Sequence, residues 1–192
     1  LNAARVLQPA DTPLSARGRA QAAAVARRLA AAPVAAILAS DLPRAWATAQ
    51  AIAAACAAPL RASVQLHERN FGALRGRPYD SLGYDPIACA DAPAGGESIP
   101  AFEARVDAAW DEVRAAARGL DADLVVVTHG LVIRHLLGRA GAVPAATLPG
   151  LHLGNTSVSI VDAEAPHGLR LLNCTRHLDG DRADDRHSLV GG

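Results

Sequence analysis

Apolar residues recur at helical spacing from Ser15 to Ala31, where Ala20, Ala24 and Leu29 sit among Arg and Gln, and this predicts a helix with Ser15 as its N-cap. Pro33 closes that helix, and the short apolar run Val34 to Ala39 predicts a buried strand. Ser40-Asp41-Leu42-Pro43 combines capping side chains with an early-turn proline and predicts a helix reaching Cys56. Leu60 to Leu66 reads as a further strand. From His67 to Gly96 the pattern fails: Gly, Pro, Asp and Arg alternate without a period, which predicts a long irregular segment of the functional kind. Ser98 then opens a long amphipathic helix to Arg118, with Phe102, Val106, Trp110 and Val113 on one face. Asp123 to Thr128 holds the clearest buried strand, Leu124 to Val127, followed by a helix over Leu131 to Gly138. Asn155 to Asp162 and Leu169 to Thr175 predict two late strands. Strands alternate with helices, so the expected fold is a three-layer α/β sandwich with a mostly parallel central sheet.

Composition narrows this further. The chain has 192 residues, enough for one domain that buries about 70% of its unfolded surface without staples. Residues 1–178 are read as that domain and the charged stretch 179–192 as a loose tail. Nineteen basic residues, all Arg, balance nineteen acidic ones, so no net field recruits nucleic acid or an anionic membrane. Cys56, Cys89 and Cys174 share no metal-ligand spacing and suit free thiols in a reducing cytoplasm. No apolar run approaches the roughly 20 residues of a membrane span. There is no Met, not even an initiator, so the start of the reading frame is expected upstream of Leu1.

Four segments carry candidate chemistry. In Val125 to Arg134 a His129-Gly130 pair ends a buried strand, where open α/β sheets bind ligands, and the next helix offers its positive end to a phosphoryl group. A histidine that merely bonds a carbonyl in the turn fits the segment equally well. In Ser40 to Ala45, Arg44 occupies the first helical turn, where the dipole disfavours a cation unless an anion lies nearby; a solvated arginine is the plain alternative. Glu68, just past a strand, suits a general acid or base with a raised pKa, and Arg69 and Arg75 could meet an acidic substrate. Taken alone this is an ordinary charged loop. Gly95-Gly96-Glu97-Ser98 is explained by a turn and an N-cap, although Glu97 could face a pocket.

In chain order, Pro13 to Ala22, Ser40 to Ala45, Glu68 to Gly72, Gly95 to Ser98 and Thr128-His129-Gly130 resemble the histidine phosphatase superfamily, of phosphoglycerate mutase-like fold. The resemblance runs from Asn2 to about His177. It implies phosphoryl transfer through a phosphohistidine, because an imidazole nitrogen attacks phosphorus and then leaves readily to water. By position, His129 corresponds to a pocket histidine that holds the phosphoryl oxygens, with Gly130 beside it. Arg44 corresponds to the arginine that neutralises the transferring group. Glu68 corresponds to the acid that protonates the leaving oxygen and then activates water. Asn2 and Arg69 are the further expected contacts to phosphate or substrate.

The family's nucleophile lies in an Arg-His-Gly motif at the end of a first strand, just before that Asn, and His67, His135, His152, His167, His177 and His187 do not match it. The motif and its strand are therefore expected upstream of Leu1; without them a phosphate-binding module is the alternative. The 68–76 stretch is partly mutase-like, but mutases carry a longer basic insertion after it, and Arg77 to Ala94 holds one Arg. Hydrolysis of a small anionic phosphomonoester is the expected activity, and phosphoglycerate mutase the alternative. The chemistry requires no metal or other cofactor, and a homodimer is compatible with it.

Overall fold

The computed structural model describes residues 5–178. Ser15 caps the first helix, α1 (Ala16–Leu29), its Oγ accepting from the Gly18 N–H at 3.1 Å. Strand β1 (Val34–Ala39) follows and leads into α2 (Pro43–Cys56), then β2 (Leu60–Ala62). The irregular segment crosses to α3 (Ile99–Ala117), where Ser98 Oγ accepts from the Ala101 N–H at 3.2 Å. Strand β3 (Asp123–Val127), α4 (Gly130–Arg139), β4 (Val158–Val161) and β5 (Leu169–Cys174) complete the order.

Strands β1, β2 and β3 form a parallel sheet in the order β2-β1-β3, with Ile37 opposite Leu60 and Val125, and Ala39 opposite Ala62 and Val127. Both faces are covered, which explains the unbroken apolar runs. Ile37, Ala39, Val125 and Val127 pack with Val25 and Ala26 of α1 and Ala49 and Ile52 of α2. Leu38, Leu124 and Val126 pack the other way, with Phe102, Val106 and Ala109 of α3 and Val132 of α4. The period of two along each strand thus sorts alternate residues into two cores.

Two expectations change. The strand foreseen to Leu66 stops at Ala62, and Val64–Leu66 is a 3-10 turn. β1 ends at Ala39, so beyond Ser63, whose N–H reaches the Ala39 carbonyl at 2.8 Å, no partner backbone continues the ladder. The late strands pair antiparallel with each other and form a separate two-stranded sheet. A cavity of about 1050 Å³ has Val125 and Val127 of β3 and Val158 and Ile160 of β4 in its lining. Among the described residues, no helix is long and apolar enough to cross a membrane.

Candidate active site

Each of the three parallel strands leads at its carboxyl end, the position where α/β sheets hold ligands, to a candidate residue that lines that cavity. β1 runs into Ser40 and, one turn later, Arg44 in α2; β2 leads through the 3-10 turn to Glu68; β3 runs through Thr128 to His129 at the N-cap of α4. Arg44, Glu68, His129 and Gly130 all line it. Thr128 ties two of these paths together, its hydroxyl donating to the Leu66 carbonyl at 2.7 Å.

His129 is buried, and its Nε2 lies 2.8 Å from Ser40 Oγ. Burial first, and then the positive charges of Arg44, His67 and Arg105, hold its pKa well below that of a free imidazole. It is therefore neutral at working pH. Ser40 Oγ also accepts the Leu42 N–H at 3.3 Å, so one hydroxyl joins the imidazole to the start of α2. The Ser40–Pro43 start signal was expected to bring a capping side chain; instead Leu42 is the N-cap, no side chain caps that helix, and the Ser40 hydroxyl bonds the histidine.

Arg44 makes two long contacts, Nη1 to the carbonyls of Pro9 and Ala10, both at 3.4 Å. Burial lowers its pKa, yet a guanidinium remains charged at neutral pH. It is a cation with weak internal partners beside a cavity. Glu68 accepts from two backbone N–H groups: Arg69 on Oε1 at 2.9 Å, and Leu131 in the first turn of α4 on Oε2 at 3.3 Å. Those bonds and the charges of Arg44 and Arg105 favour the carboxylate, but desolvation outweighs them and raises the pKa. A carboxyl group whose pKa is raised by desolvation, beside an arginine, is suited to protonate a leaving oxygen.

Arg69 is corrected. It is 3% exposed, and its guanidinium donates to the carbonyls of Glu97, Pro86, Ile87, Cys89 and Asp91 at 3.0–3.5 Å. No donor is left for a phosphate; the side chain pins the irregular 86–97 stretch. Glu97 likewise faces no substrate. Its two carboxylate oxygens take Arg105 Nε and Nη2 at 2.8 and 2.9 Å, and Oε2 also takes the Asn70 N–H. Arg105 Nη1 reaches back to the Gln65 and His67 carbonyls, on either side of Leu66 and next to Glu68. Gly72, at φ +48°, closes this clasp: a Cβ there would stand 2.2 Å from the Ala94 carbonyl oxygen. Arg69→Met is expected to destabilise the protein by about 3 kcal/mol or more, because buried carbonyls lose their donors. Urea unfolding checks this, and a change within 0.5 kcal/mol, the range of an ordinary surface substitution, would rule the clasp out.

The structure thus gathers Arg44, Glu68, His129 and Gly130 and diverts Arg69, while Asn2 lies outside the described residues. Ser40 and Arg105 escaped the sequence reading. The serine's place before Asp41 suggested a cap, and the Glu97–Arg105 separation is no local helix pairing. His135 lies apart, bonded to Asp107 at 2.8 Å. Among the described residues no cluster of three His, Cys, Asp or Glu side chains could hold a metal ion.

A sheet whose strand ends bring a histidine, an arginine and a desolvated glutamate to one cavity suits the phosphoryl-transfer class. The particular family follows from comparison: residues 2–175 match the Histidine phosphatase superfamily (branch 1), and the chain belongs to it. It is 34% identical to the probable phosphoglycerate mutase GpmB of Yersinia pestis over 204 aligned positions, covering 96% of this chain and 92% of that protein. Among solved structures it is similar to a mycobacterial glucosyl-3-phosphoglycerate phosphatase, with a TM-score of 0.74 and 28% identity over 91% of this chain and 93% of that one. YhfR of Bacillus stearothermophilus is similar too, with a TM-score of 0.76 and 26% identity over 91% of each.

Proposed function

We propose that the protein is a phosphomonoester hydrolase acting through a phosphohistidine on a small anionic phosphorylated metabolite. The observation that carries this reading is the convergence of a neutral His129, a cationic Arg44 and a desolvated Glu68 on one cavity. An imidazole nitrogen bonds to phosphorus as the ester P–O bond breaks. The Glu68 proton passes to the departing oxygen, while Arg44 and the His129 N–H hold the charge on the phosphoryl oxygens. Water then attacks phosphorus, gives its proton to the Glu68 carboxylate, and releases the imidazole. The attacking imidazole is the one that the family resemblance assigns to an Arg-His-Gly motif.

Hydrolysis rather than mutase action is favoured by the loss of Arg69 as a cationic clamp, since a mutase must retain its product for return of the phosphoryl group. A cytoplasmic setting is part of the reading, because Cys56, Cys89 and Cys174 are free thiols. The full-length protein given 3-phosphoglycerate is expected to release inorganic phosphate, followed by phosphorus NMR, with no loss of rate in chelator. Conversion to 2-phosphoglycerate without phosphate release would make it a mutase. Binding of inorganic phosphate without turnover would make it a binding module, and abolition of the rate by chelator would overturn the metal-free mechanism.

A further inference from the structure

The stretch that carries Glu68 has no sheet to fix it. β2 ends at Ala62, and the chain passes through the 3-10 turn Val64–Leu66 into the irregular segment. Its backbone groups are held by other elements instead. The Gln65 carbonyl accepts from Arg105 Nη1 at 2.7 Å, the Leu66 carbonyl from the Thr128 hydroxyl, and the His67 carbonyl from Arg105 Nη1 at 2.9 Å. On the far side of Glu68, the Asn70 N–H donates to Glu97 Oε2 at 2.8 Å, and the Asn70 carbonyl accepts the Glu97 N–H at 2.7 Å.

Arg105 thus grips the chain before Glu68 and Glu97 grips it after. The two grips are joined, because Arg105 Nε and Nη2 donate to the two oxygens of Glu97 as a planar fork. The fork stands on α3, next to Phe102 and Val106 in the core, and the Arg105 guanidinium lies 5.0–6.0 Å class distance over the Phe102 ring, at 5.4 Å from its centroid. Neither Glu97 nor Arg105 lines the cavity, whereas Glu68 between them does. Both side chains of the pair are largely withdrawn from water, at 21% and 17% exposure. An ion pair taken out of water gains little net stability, since desolvation offsets its attraction. What this one achieves is geometric: it fixes the backbone on both sides of one carboxyl group.

We propose that the Glu97–Arg105 pair is a positioning device for the general acid, setting where the Glu68 carboxyl stands against the leaving oxygen without touching substrate. This rests on the phosphatase reading above for the role of Glu68. A general acid works only within hydrogen-bond reach of the oxygen it protonates, and a misplacement of about 1 Å can cost about a hundredfold.

The test uses the full-length protein and Arg105→Lys, which keeps the charge but loses the fork that spans Glu97 and two carbonyls. For glycerol 3-phosphate, an alkyl phosphate, kcat is expected to fall about tenfold with KM changed less than about twofold. For p-nitrophenyl phosphate, whose leaving group departs without a proton, kcat is expected to fall less than about threefold. In the Glu68→Gln background the same substitution should cost the alkyl phosphate less than about twofold more, because no acid remains to be misplaced. Glu97→Gln, which breaks the fork from the other side, is expected to repeat the pattern and carries the test if Arg105→Lys does not fold by urea titration. Equal losses on both phosphates, or an undiminished further loss in the Glu68→Gln background, would overturn the proposal, since a merely structural pair behaves that way. Leaving-group selectivity in Glu68→Gln but not in Arg105→Lys removes the positioning role alone. A Glu68→Gln protein that loses both phosphates alike sinks the acid role in the phosphatase reading, and the proposal with it.

Discussion

Glu68→Gln in the full-length protein is expected to lower kcat toward alkyl phosphates by about a hundredfold, within the usual range of a general acid. The loss on aryl phosphates should be much smaller, because a phenolate departs without a proton. The Glu68 carboxyl is desolvated, and its pKa lies above that of a free glutamate. In the wild-type protein the acid-dependent rate therefore falls as pH rises through that raised value, and the glutamine variant lacks this limb. Stability carries the same signature. A raised folded-state pKa contributes stability that is full below the unfolded value near 4.5 and is lost as pH rises through the folded one. The stability of Glu68→Gln relative to wild type should accordingly increase with pH over that window, as read from urea midpoints. A uniform loss of kcat across leaving groups would remove the acid role, and a pH-independent stability difference would contradict the desolvated carboxyl.

Arg44→Ala is the second large effect. The guanidinium has only two contacts at 3.4 Å within the fold, so little native structure depends on it. Arg44 nevertheless lines the cavity proposed to hold the phosphoryl group. Removal of one preorganised charge of this kind costs about a hundredfold in kcat, or about 2.7 kcal/mol, with the folding free energy changed far less. Steady-state rates and urea unfolding of the same sample separate the two. Rates within a few-fold of wild type would show that Arg44 does not touch the transferring group. His129→Ala is expected to lose more than about tenfold by the same route.

Much of this site was legible before any coordinates, for a local reason. Ser15 and Ser98 sit where a hydroxyl meets the third N–H of a helix, and both caps form. The run from Leu124 to Val127 is apolar on both faces and lies between two helical layers. His129 and Arg44 follow directly from strands that end in helices, so chain order alone carries them to one sheet edge. The resemblance of five ordered motifs to the histidine phosphatases supplied their roles, and family membership holds over residues 2–175.

Where interactions span the chain, local pattern was silent. Arg69 looked like a substrate ligand because nothing in its neighbours announces five carbonyls from a segment some twenty residues away. Ser40 served His129 rather than the helix beside it, across 89 positions of sequence. The sequence by itself determined the α/β alternation, the helix caps and the identity of Arg44, Glu68 and His129 as candidates, since each depends on neighbours a few residues apart. The tertiary structure decided which charges are satisfied, which carboxyl is desolvated and which arginine remains for a ligand. Those properties depend on burial and on hydrogen-bond partners, and both are fixed by what packs nearby in space.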